Sequence, residues 1–213
     1  MDELQNLKDR MRQERPTPWE DLPDIALYMD QLISYMSRQL IRFDEGPALT
    51  PAMVNNYIKD GALPRAEGKR YSRTHLAYLT AICALKQVLC VKDAALLLAQ
   101  AAKGREPQQL YDLFREELDR ALDVTAGMLD CGAGEEELPR LALALALRSY
   151  ADQLACERVL DLLAERAAAQ ALTEAEWRDM IRLSRKWLAL FQKAAASLPQ
   201  TAKKNAAVVS GGS

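Results

Sequence analysis

The sequence predicts an all-α protein, and three observations carry that expectation. Leu, Ala, Glu, Lys, Arg and Gln dominate a chain of 213 residues that holds only 9 Gly and 9 Pro, a composition that favours helix. Apolar residues recur at steps of three and four along most of the chain, the period of a helix with one buried face. Several of these stretches open on Thr or Ser and close on Gly, as helices do. Nearly half of the residues are apolar but only 6% are aromatic, so the expected core is built from Leu, Ala, Ile and Met.

Taken in order, residues 1–18 are polar, end in Pro16 and Pro18, and read as a mobile arm or a frayed helix. Trp19 to Pro23 then reads as a helix start, with Asp21 placed to cap and Pro23 suited to a first turn. Ile25, Met29, Leu32, Met36 and Leu40 define one face of that helix. Phe43 to Leu49 reads as a loop marked by Gly46 and Pro47. Thr50 is expected to cap a short helix with Pro51 in its first position. Met53, Val54, Tyr57 and Ile58 form its buried side, and Asp60 and Gly61 end it. Leu63-Pro64 leaves it in an extended form, because the residue before proline is pushed out of the α region. A basic turn centred on Gly68 leads to Ser72, a cap for a helix over about 73–89 that is apolar nearly all round and therefore central.

Beyond it the pattern stays helical. A short helix covers Val91 to Ala102 and stops before Gly104, and another runs from Pro107 to about Leu129. A long helix is expected from Leu138 to Ala171. Within it, Leu141 to Leu147 alternates with period two, but Leu and Ala are the best helix formers and the stretch follows an acidic turn, so strand is rejected. Thr173 to Glu176 reads as a capping box opening a last helix, with Trp177, Ile181, Ser184, Leu188 and Phe191 on one face. Residues 200–213 are small and polar and are expected to be disordered. The expected domains are thus 19–104 and a helical region over 105–199.

The stretch from Leu49 to Leu89 is the most informative: a capped helix, a Gly turn, a basic loop with an aromatic, then a buried helix. That order is the layout of a winged helix-turn-helix. Between Thr50 and Asp93 seven bases (Lys59, Arg65, Lys69, Arg70, Arg73, Lys86, Lys92) stand against three acids, in a chain whose net charge is -2. Such asymmetry suggests an anionic partner. A groove-binding helix must be short, capped and polar on one side, with first-turn amides open to a phosphate. The helix opened by Thr50 meets these conditions. Asn55 and Asn56 suit its open face, Asn being the residue that pairs in bidentate fashion with adenine, and Lys59 suits a phosphate. Arg65, Lys69, Arg70, Tyr71 and Arg73 would straddle the backbone and supply affinity without sequence preference. The competing reading is a surface helix followed by a solvated basic turn.

With those residues in view, 49–98 resembles the N-terminal DNA-binding domain of MerR-type regulators. Tyr57, Gly61, Leu63 and Pro64 match that family's exit from its second helix. Lys69, Tyr71, Ser72 and Leu76 match the close of its wing. The family's Arg-Tyr pair on the recognition helix is Asn55-Asn56 here, and the connection from the preceding helix is longer. The larger unit from Trp19 to about Leu98, with WEDLPD, LTPAMVNNYIKDG and KRYSRTHLAYL, resembles more closely the bacterial domain-of-unknown-function family 1836, itself considered MerR-like. The resemblance implies a fold and no demonstrated activity.

Other chemistry is sparse. His75 is the only histidine, so neither a catalytic triad nor a histidine-rich metal site is expected; packing or a phosphate contact are its two readings. Cys83, Cys90, Cys131 and Cys156 are widely spaced among apolar residues and read as free and reduced. Glu135 to Glu137 complement a helix start. No phosphate loop or nucleophile elbow is present, so no enzyme, cofactor or metal is expected. The first fifteen residues are too charged for a secretory signal. No run of about 18 apolar residues marks a membrane span, so a cytoplasmic protein without a membrane partner is expected. Two functions remain: a regulator that binds duplex DNA, with a homodimer as its expected form and Trp177 and Trp187 at an interface or in a bundle core, and a protein-interaction adaptor on the same fold.

Overall fold

In the computed structural model, residues 2–41, 49–129, 132 and 134–196 are described. The expected loop over Phe43 to Leu49 falls mostly outside them, as do Cys131 and the 200–213 tail. The described residues form α1 (Asp2–Gln13), α2 (Met29–Met36), α3 (Pro51–Lys59), α4 (Arg73–Leu85), α5 (Val91–Ala101), α6 (Pro107–Met128) and α7 (Leu138–Ala196), with single 3-10 turns at Trp19–Asp21 and Glu135–Glu137. Among them there is no strand, only two isolated antiparallel bridges, so the all-α expectation stands. The chain divides into two compact units, 1–163 and 164–213.

The first unit is organised around α4. Leu76, Leu79 and Ile82 are fully buried there, and Thr80 joins them because its hydroxyl donates to the Leu76 carbonyl at 2.9 Å. α4 packs against α2, α5 and α6. Val54 and Tyr57 of α3 and Leu32 and Met36 of α2 fill the same core. Tyr111 of α6 completes it, its hydroxyl donating to the Thr17 carbonyl at 2.8 Å. The core therefore runs past residue 104 into α6.

Two expectations about the N-terminal region change. Residues 2–13 are a helix packed on α6: Lys8 Nζ donates to the Leu129 carbonyl at 2.7 Å, and Arg15 pairs with Asp119 and Asp123. The helix expected from Trp19 is only a 3-10 turn, and α2 starts ten residues later. Residues 22–28 are not helical. Leu27 instead exchanges both backbone hydrogen bonds with Tyr71, each at 2.9 Å. That tertiary pairing outweighs the helical period, and Ile25 is left 68% exposed.

α3 follows its sequence signals. Thr50 Oγ1 accepts from Met53 N at 3.2 Å, Pro51 occupies the first turn, and Gly61 takes φ +76° just beyond the C-cap. A residue there must adopt the left-handed region, which glycine does at no steric cost. Between α6 and α7, the 3-10 turn Glu135–Glu137 holds the acidic run.

The second unit comprises residues 164–196 of α7 among those described. Thr173 opens no new helix: its hydroxyl donates to the Ala169 carbonyl at 3.0 Å, one turn back within α7. The flanking Ala-rich sequence carries no Gly or Pro to stop the helix, and a mid-helix Thr bonds in this way. The Leu141 to Leu147 stretch is helical, as expected.

Candidate nucleic-acid interface

The face of α3 away from the core is polar. Asn55, Asn56 and Lys59 are exposed while Val54 and Tyr57 are buried. Spacings of one and four residues put the three polar side chains on one side of the helix. Thr50 is also exposed, but its hydroxyl is already committed to the cap.

The basic loop is a tight hairpin. Arg70 N donates to Glu67 O at 3.0 Å, and the central pair, Gly68 and Lys69, take φ +55° and +63°. Two successive positive φ values are the signature of a type I′ turn, whose twist suits closely paired strands. Glycine adopts this freely; lysine does not. The hairpin's base is clamped by the Leu27–Tyr71 backbone pairing. Lys69→Gly is accordingly expected to stabilise the first unit by about 0.5–1 kcal/mol, the relief of a left-handed lysine less the extra chain entropy of glycine. Urea unfolding checks the sign.

Arg70 is oriented before any ligand arrives. Its guanidinium lies 5.1 Å from the Tyr28 ring centroid, and its Nη2 donates to the Tyr28 hydroxyl at 3.0 Å. Tyr28 is half exposed. No sequence signal marked it, because its contact with Arg70 spans 42 residues. Arg65 is exposed, and its carbonyl is held by His75.

Two predicted contacts move inward. Tyr71 is 4% exposed, its ring set edge-on to His75 at 5.5 Å. The backbone pairing with Leu27 turns its side chain into the core, so it leaves the contact set. Arg73 is half buried with its guanidinium 5.8 Å from the Trp19 ring centroid, which makes it a packing residue first.

His75 proves structural. Ser72 N donates to its Nδ1 at 3.0 Å, so Nδ1 is unprotonated and the ring proton sits on Nε2, which donates to the Arg65 carbonyl at 3.2 Å. One imidazole thus caps α4 and ties down the chain entering the hairpin. Burial pushes its pKa below the usual histidine value, against the opposing pull of the Arg65 carbonyl. The described cysteines, Cys83, Cys90 and Cys156, form no disulfide. Among the described residues no group of three or more His, Cys, Asp or Glu side chains is placed to hold a metal ion, and no helix is long and apolar enough to cross a membrane.

These features describe an all-α protein whose first unit carries a capped helix with a polar exposed face and, after it in the chain, a basic two-residue hairpin. Residues 17–114, a little under half of the chain, match the family described as Domain of unknown function (DUF1836), the family that the sequence motifs resemble. The matched span runs from Thr17, whose carbonyl accepts from Tyr111, to Phe114, stacked on that tyrosine at 6.1 Å. No curated protein and no solved structure matches the chain.

Proposed function

We propose that the first unit binds duplex DNA as a MerR-like winged helix-turn-helix and that the protein is a transcriptional regulator, not an enzyme. The observation that carries this reading is the hairpin, with Lys69 held at positive φ and Arg70 braced on Tyr28, which follows in the chain a helix whose open face is Asn55, Asn56 and Lys59. Lysine and arginine on a rigid tip neutralise phosphates at small entropic cost. Asparagine on a capped helix supplies donor and acceptor pairs for base edges. In this reading α3 enters the major groove, and Arg65, Lys69 and Arg70 hold the backbone.

Binding is proposed to occur as a homodimer. Leu143, Leu147, Tyr150 and Leu154 of α7 are all exposed at steps of four, three and four, an apolar stripe of the kind a partner helix covers. Two half-sites would then multiply a modest affinity.

The second reading, a protein-interaction adaptor, is favoured by one observation: Ile25 and Tyr28 are exposed apolar side chains close in sequence to the clamp on the hairpin. Salt dependence separates the two. The test is selection from a random duplex pool at low and at physiological salt, with the wild type beside Lys69→Ala/Arg70→Ala. Both side chains are exposed, so the fold stands in the variant. The expected result is salt-sensitive enrichment of a discrete sequence, with a salt slope lower by about two in the variant. No enrichment at either salt by a folded protein rejects the DNA reading and favours the adaptor.

A further inference from the structure

The second unit carries a pattern that the DNA reading does not use. Over residues 177–193, Trp177, Met180, Ile181, Leu183, Trp187 and Leu188 are all exposed, Trp187 most of all at 69%. At 3.6 residues per turn these side chains occupy about half of the circumference of α7. The same 17 residues hold five bases, Arg178, Arg182, Arg185, Lys186 and Lys193, against one acid, Asp179. All five bases are exposed and lie on the other half. Asp179 is already paired with Arg182 at 3.2 Å. Arg178, Arg182 and Arg185 line one shallow depression together with Ile181, at the edge of the apolar half.

Three occupants of this face can be weighed. A second copy is disfavoured by charge: a two-fold pairing of this segment brings net-positive rims together, where paired helices place complementary charges. The apolar arc is also wider than the seam of two paired helices. A nucleic acid satisfies the arginines but leaves both tryptophans and the exposed aliphatic side chains in water. An anionic phospholipid surface satisfies both halves. The apolar side sinks to the depth of the first acyl carbons, the tryptophans sit at the headgroup boundary, and the arginines and lysines meet lipid phosphates. Three arginines lining one depression at the edge of the apolar half put positive charge where lipid phosphates lie. Surface attachment needs no long apolar run, which is why the sequence showed no membrane signal.

We infer that residues 177–193 of α7 form an in-plane amphipathic helix that docks the protein on anionic bilayers. This goes beyond the DNA reading and does not depend on it.

The experiment is flotation of the full chain with vesicles of phosphatidylcholine alone and of phosphatidylcholine mixed with phosphatidylglycerol. The expected result is co-flotation with the mixed vesicles only, weakened by added salt. Arg178→Ala/Arg185→Ala should reduce the partition by roughly 30-fold, at about fivefold per base. Trp187→Ser should reduce it roughly tenfold through lost apolar burial. Circular dichroism establishes that both variants, changed only at exposed positions, keep their helix. The inference is overturned by no flotation with the mixed vesicles, by equal flotation with neutral ones, or by variants that float like the wild type. It is also overturned if poly-glutamate binds where vesicles do not, which assigns the face to an acidic protein. It is overturned again if Trp187→Ser only dissociates an oligomer and vesicles have no effect, which assigns the face to a second copy.

Discussion

Leu79→Ala is expected to destabilise the first unit by about 3 kcal/mol, because a large-to-small change at a fully buried site loses transfer free energy and leaves a cavity. Leu79 has no exposed surface and lies on the helix against which α2, α5 and α6 all pack. The site collapses poorly, since two of these neighbours are tied down elsewhere through Thr17: the chain leaving α2 by Gln39, which exchanges hydrogen bonds with Thr17 at 3.1 and 3.2 Å, and α6 by Tyr111. Denaturant unfolding, followed by a probe confined to the first unit, measures it. A loss below about 1 kcal/mol would mean that α4 is not the centre of the core.

His75→Ala is expected to cost about 2–3 kcal/mol, the sum of a lost cap on α4, a lost bond to the Arg65 carbonyl and a small cavity. His75→Gln restores part of this, since glutamine three residues after Ser72 completes an ordinary capping box. The histidine also makes stability depend on pH. Its folded pKa is depressed by burial, so the unfolded chain binds the proton more readily than the folded one. Its contribution is therefore complete above the unfolded value of about 6.5 and is lost as pH falls through that value toward the folded one. Thermal unfolding at several pH values between 7.5 and 5.5 should show the wild type weakening in acid and His75→Gln changing less. Equal slopes would remove His75 from that dependence.

Some of this was open to sequence reasoning and some was not, for identifiable reasons. α3 was legible because its signals are local: a Thr cap, a proline beside it, a glycine after it, and apolar residues at helical spacing. The burial of α4 was legible from its composition. The start of α2 was not, because residues 22–28 carry a helical apolar period yet Leu27 is claimed by Tyr71, 44 residues away. Nothing in a linear pattern announces that pairing. The contacts of the N-terminal segment with α6 and its end, Lys8 with the Leu129 carbonyl and Arg15 with Asp119 and Asp123, reach across more than a hundred residues, which composition cannot show. Thr173 misled because a capping motif is also compatible with the middle of a helix when strong helix formers surround it. In the candidate site, the basic residues were legible as charges. The inward turn of Tyr71 and the bracing of Arg70 on Tyr28 were not, since both follow from one tertiary clamp.

That clamp has a consequence for how the hairpin can vary. Tyr71 and Leu27 fix the base of the loop, and Glu67 and Arg70 close its tip around two residues. A strand alternates sides every residue. Inserting two residues on each arm therefore lengthens the arm while returning every side chain to its original side. Inserting one residue on each arm keeps the two arms in step but swings Arg70 away from Tyr28 and exchanges the inner and outer faces. Natural and engineered variants of this protein should tolerate loop growth in steps of two residues per arm, so the reach of the basic tip can be adjusted as a ruler is, by whole divisions, without refitting the core beneath it.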